Sequence, residues 1–138
     1  NADANIDASE FLPVYNGPNP TGTIAFTPAE TEIALSWTAP ANAPTGYLVL
    51  RGLGSTPPAD VPINGNTYSV GTVIGSSTVV HASAGTSLTD TGATGGTYSY
   101  AVYSYNASPG GCVTYKITSP LTGTSTTTSV SNWDMLGK

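Results

Sequence analysis

Charge is what this chain has least of. Only 8% of its 138 residues are Asp, Glu, Lys or Arg, with three cations against eight acids. Arg51, Lys116 and Lys138 are the cations, and a net charge of −5 provides no basic patch to neutralise phosphates, which argues against a nucleic-acid partner. Asp3, Asp7 and Glu10 crowd into the first ten residues, so the remainder is nearly uncharged. There is a single cysteine, Cys112, and so no disulfide within the chain. No apolar run approaches the roughly 18 residues of a membrane span, so membrane insertion is not expected. Lys, Glu, Leu and Gln, the good helix formers, are scarce.

Catalytic signatures are missing as well. There is no HExxH, no paired Cys/His spacing and no Gly-x-Ser-x-Gly. The acids form no calcium-loop pattern, and no carboxylate pair is marked for glycoside hydrolysis. His81, the only histidine, reads as one residue of a surface strand. Asp90 precedes Thr91-Gly92, where turn chemistry accounts for it. Cys112, after Pro109-Gly110-Gly111, reads as a partly buried loop residue, the alternative being a reactive thiol or one that joins two chains. No catalytic residue, cofactor or metal is expected, and the chain does not read as an enzyme.

What remains is Thr, Ser, Gly, Pro, Val and Tyr, the composition of an all-β protein. The stretch Gly95-Gly96-Thr97-Tyr98-Ser99-Tyr100-Ala101-Val102-Tyr103-Ser104-Tyr105-Asn106 is the most informative. Its period of two places Tyr98, Tyr100 and Val102 on one face of a strand and Ala101, Tyr103 and Tyr105 on the other. Further strands are expected at 23–27, 31–38, 46–51, 67–74, 78–82, 87–91 and 120–128, each bounded by turn residues. Ile33, Leu35 and Trp37 alternate inward along the second of these. The expected core comprises Ile24, Phe26, Leu35, Trp37, Tyr47, Val49, Leu88, Tyr98, Tyr100 and Val102. Residues 1–21 read as an extended leader, 22–129 as one domain and 130–138 as a tail.

Ser36-Trp37, Gly46-Tyr47-Leu48-Val49-Leu50-Arg51 and Gly96-Thr97-Tyr98-Ser99-Tyr100-Ala101-Val102 together resemble a fibronectin type III domain over residues 22–129. The long connection from Gly52 to Gly85 is similar to bacterial versions, from secreted and surface proteins of the Bacteroidota. The resemblance implies an immunoglobulin-like Greek-key β-sandwich with a long C-to-E insertion. It implies the tryptophan in strand B, Tyr47 and Val49 in strand C, and Tyr98 at the tyrosine-corner position of strand F. The family carries no active site.

Two regions are candidate contact surfaces. If Tyr98, Tyr100 and Val102 face the core, Tyr103 and Tyr105 face outward beside Leu48 and Leu50. Either these four form an exposed interaction patch, on which tyrosines stack against sugar rings, or the 52–85 connection folds over them. The sequence is compatible with both. The second region is terminal: Phe11, Leu12, Val14 and Tyr15, with Trp133, Met135 and Leu136, are apolar residues outside the sandwich and candidate inter-subunit contacts. The expected function is a non-catalytic structural or adhesive module of a bacterial extracellular or cell-surface protein, a tandem-array or filament subunit whose partners are other domains or its own copies. The alternative is a carbohydrate-binding accessory module of a secreted multidomain enzyme, with Tyr103 and Tyr105 as its platform.

Overall fold

A computed structural model describes residues 18–107 and 112–128. Among these residues every regular element is a strand: β1 (Ala25–Pro28), β2 (Ile33–Ser36), β3 (Gly46–Leu53), β4 (Val73–Ile74), β5 (Ser77–Ser83), β6 (Ser87–Asp90), β7 (Thr97–Ala107), β8 (Val113–Tyr115) and β9 (Leu121–Thr126). They build two antiparallel sheets. The smaller has the order β1-β2-β6; the larger runs β4-β5-β3-β7, with β8 and β9 sharing the far edge of β7. The sheets face each other as a β-sandwich.

Alternation decides which side chains fill the space between them. Ile33, Leu35 and Trp37 enter from the small sheet, and Tyr47, Val49, Tyr100 and Val102 from the large one. Ile24, Ala93 and Leu121 complete the buried cluster, with Phe26, Val80, Leu88 and Tyr98 packed against its margin. Of the ten residues expected in the core, seven are in the buried cluster, and Phe26, Leu88 and Tyr98 are the three that stay partly buried at its margin. Trp37 sits edge-on to both Tyr47 and His81, with ring centroids 5.6 and 5.4 Å apart, an arrangement favoured by the ring quadrupoles.

A partly buried ion pair joins the two sheets. Asp90, at the end of β6, accepts from the Arg51 guanidinium at 2.8 Å and from the Tyr100 hydroxyl at 2.8 Å. The Gly92 amide adds a third bond at 3.1 Å, which is the turn contact expected of Asp90. The sequence did not point to these partners: Tyr100 lies ten residues on in the next strand but in the opposite sheet, and Arg51 lies 39 residues back. At the corner leading into β7, the Tyr98 hydroxyl donates to the Thr94 carbonyl at 2.7 Å.

The strand expected over 120–128 forms as β9, and an unexpected short strand, β8, shares its edge of β7. β9 pairs with β7 as far as Val102↔Leu121, and β8 pairs from Tyr105↔Tyr115 onward. The Lys116 amide still reaches the Ser104 carbonyl at 2.9 Å, and the pairing is interrupted over residues 117–120. Buried Asn19 fills the gap: its side-chain amide donates to the carbonyls of Lys116 and Thr118, both at 2.9 Å, and its carbonyl oxygen accepts from the Ser104 amide at 2.7 Å. Asn19 and Pro20, read as leader, are thus buried in the sandwich.

Candidate functional site

The outer face of the larger sheet holds the tyrosines that alternation turned away from the core. Leu48, Leu50, Val79, Ala101, Tyr103, Val113 and Tyr115 form a second buried cluster there, with Tyr68, Ile74, Ala82 and Tyr105 packed around it. Leu48, Leu50 and Tyr103 are therefore not an exposed patch: the connection between β3 and β5 folds over them. Of the four residues named for that surface, Tyr105 alone stays half-exposed, so the expected Tyr103–Tyr105 platform loses one member.

Hydrogen bonds hold the connection down. The Tyr103 hydroxyl donates to the Asp60 carbonyl at 3.1 Å. Ser99 binds the Gly54 carbonyl at 2.7 Å, and the Gly65 amide reaches the Val113 carbonyl at 2.7 Å. Asn64 accepts from the Tyr115 amide at 2.8 Å, while the Tyr115 hydroxyl donates to the Asn66 carbonyl at 2.7 Å. The Asp60 carboxylate accepts from Ser76 and Ser77, the latter at 2.7 Å, tying the connection to the β4–β5 hairpin. The Ser77 hydroxyl in particular holds this carboxyl below its ordinary range. Of the strand expected over 67–74, only Val73–Ile74 forms. Gly71 at φ 100° ends extended geometry just before it.

Where this cover stops, a cleft of about 280 Å³ remains, lined by Thr45, Leu48, Thr67, Tyr68, Ala82, Tyr105, Ala107, Val113 and Tyr115. Its walls are three tilted rings. Tyr68 and Tyr115 have centroids 5.9 Å apart at 55°, and Tyr105 and Tyr115 5.7 Å apart at 61°. Two rings are anchored by their hydroxyls: Tyr115 to Asn66, and Tyr68 by accepting from the Ile63 amide at 3.0 Å. The Tyr105 ring lies across Gly46, whose missing Cβ leaves it room; a side chain there would overlap the phenol. Among the described residues the Tyr105 hydroxyl makes no hydrogen bond. Among the described residues no charged side chain lines the cleft. Burial first, and then the neighbouring phenols, push the Tyr115 hydroxyl well above the ordinary phenol range, and burial raises Tyr105 too. Both rings stay neutral at any physiological pH.

The sequence singled out Tyr105 but not Tyr68 or Tyr115. Tyr68 was legible only as part of a short strand. Tyr115 belongs to β8, a strand of three residues with no pattern long enough to read.

The other singled-out residues lie away from this cleft or outside the described residues. His81 is 8% exposed in β5, under Trp37, rather than on a surface strand; its Nε2 lies 2.9 Å from the Gly85 carbonyl and 3.2 Å from the Ser83 hydroxyl. Burial lowers its pKa, opposed by those hydrogen bonds. Cys112 is half-buried. Phe11, Leu12, Val14, Tyr15, Trp133, Met135 and Leu136 lie outside the described residues. Among the described residues no three His, Cys, Asp or Glu side chains gather to hold a metal, and no helix is long and apolar enough to cross a membrane. Compared with protein-family models, with curated proteins and with solved structures, the chain matches none.

Proposed function

We propose that this chain is a non-catalytic structural or adhesive module of a bacterial extracellular or cell-surface protein, built as a Greek-key sandwich of the fibronectin type III kind. The strand order carries the reading. With β2 as strand B, β3 as C, β6 as E and β7 as F, the B–E and C–F pairs fall in opposite sheets, the arrangement of immunoglobulin-like sandwiches. The Tyr98–Thr94 bond adds support, since a tyrosine at the start of strand F bonding back to upstream backbone is the tyrosine corner. The 54–86 segment, with β4 and β5, is then the enlarged C-to-E insertion.

In this reading the scaffold is a rigid spacer and the terminal apolar segments couple it to neighbouring domains or copies. Adding a strand to a sheet edge head-to-tail does not close on itself, so such coupling builds a filament or array. Light scattering and negative-stain microscopy of the full chain, beside a Phe11→Asp, Tyr15→Asp, Trp133→Asp variant, test it. The full chain assembles and the variant is monomeric if the segments are couplers. Monomers in both cases refute coupling through the termini.

A further inference from the structure

We infer that the Tyr68–Tyr105–Tyr115 cleft binds one neutral sugar ring of a glycan. This stands independently of the module's coupling and rests on a residue set different from the Tyr103–Tyr105 platform. The cleft offers three things: tilted aromatic rings, hydroxyls at its rim, and no charge among its described lining residues. A pyranose is complementary to all three. Its axial C–H faces pack on aromatic surface, its hydroxyls bond to the phenol and threonine oxygens, and it brings no charge that would need a partner in a half-buried site.

The volume narrows the class. About 280 Å³ is at the small end of ligand pockets, which run from roughly 300 to 1,000 Å³. It suits one ring, with the rest of a glycan outside. The site is also preformed, which limits the entropy lost on binding: Tyr115 is fixed at both its amide and its hydroxyl, and Tyr68 at its hydroxyl. Among the described residues the Tyr105 hydroxyl has no hydrogen-bond partner, and Thr67 is exposed at the rim.

A peptide is a poorer fit. Extended peptides draw affinity from main-chain hydrogen bonds, and the strand backbone around this cleft is already committed. Residues 105–107 of β7 pair with β8 on one side, and Gly46↔Tyr105 and Leu48↔Tyr103 pair on the other. The Thr45 amide donates to the Asn106 side chain and the Ala107 amide to the Thr45 hydroxyl. Ring faces and hydroxyls are what remain on offer.

The full chain is titrated with methyl β-glucoside, methyl β-galactoside, methyl β-xyloside and N-acetylglucosamine, and with their β-linked oligomers. Glucuronate serves as the charged control and a proline-rich peptide as the competing class. Saturation-transfer NMR and calorimetry give the readout. At least one neutral pyranoside binds with a Kd of about 1 mM, as expected for a single ring. Tyr105→Phe, which keeps the ring and removes only its hydroxyl, weakens it roughly three- to tenfold. Tyr105→Ala removes the wall and abolishes detectable binding, with thermal melts checking that each variant is folded. The inference is overturned if no neutral sugar binds at about 50 mM, far above that Kd, or if the peptide binds and the sugars do not. Affinity unchanged in Tyr105→Phe and Tyr105→Ala overturns it equally.

Discussion

Leu50→Ala distinguishes a covered outer face from an open one. Leu50 is fully buried on β3, within the cluster formed by Leu48, Val79, Ala101 and Tyr103 and bordered by Tyr68 and Ile74. On an open sheet face its truncation would alter stability by no more than about 0.5 kcal/mol. Beneath the 54–76 cover it removes packed methyl groups and leaves a cavity, which costs about 2–5 kcal/mol. With roughly 4 °C lost per kcal/mol at this chain length, the melting temperature falls by about 8–20 °C. Urea unfolding followed by circular dichroism gives the free energy directly. Leu53→Ala, at the 80% exposed end of the same strand, is the control and stays within about 0.5 kcal/mol of wild type. A loss as small in Leu50→Ala as in Leu53→Ala would refute the covered face.

Three other outcomes follow from the same geometry. Asp90→Ala strips Arg51 and Tyr100 of their shared acceptor and costs about 3 kcal/mol in urea unfolding, the low end for a broken buried pair because Arg51 is 19% exposed. Asn19→Ala leaves the Ser104 amide without its acceptor and lowers stability by about 1–3 kcal/mol; an unchanged midpoint would place residue 19 outside the domain. His81 titrates below its ordinary 6.5 in the folded chain, so from pH 6.5 downward the unfolded chain takes up the proton first and stability falls with decreasing pH. Above 6.5 this contribution is constant, and His81→Gln removes the slope between 6.5 and about 5, where carboxylates do not yet titrate. Melting temperatures measured across that window check the sign.

The strand of tyrosines was legible because it is long and strictly alternating. Tyr98, Tyr100 and Val102 against Ala101, Tyr103 and Tyr105 is a division that only the β period produces, and the structure divides them that way. The same holds for Ile33, Leu35 and Trp37. Local pattern did not show what covers the second face. Residues 54–72 carry no regular element; their path is set by single hydrogen bonds, such as Tyr103 to Asp60 and Tyr115 to Asn66, between residues 43 and 49 positions apart. Asn19 was hidden for a related reason: its partners lie 85 to 100 positions along the chain. The cleft combined both difficulties, since Tyr105 comes from the legible strand, Tyr68 from the irregular connection and Tyr115 from a three-residue strand.

The claim on which the account turns is that the connection lies on the outer face and brings Tyr68 to the β7–β8 tyrosines. Nuclear Overhauser spectroscopy of the intact, ring-labelled protein tests this most directly. Cross-peaks are expected between the rings of Tyr68 and Tyr115, whose centroids are 5.9 Å apart, and between Tyr105 and Tyr115 at 5.7 Å. Cross-peaks for the second pair without the first would leave the strands in place but take the connection off the sheet, contradicting both the covered face and the cleft.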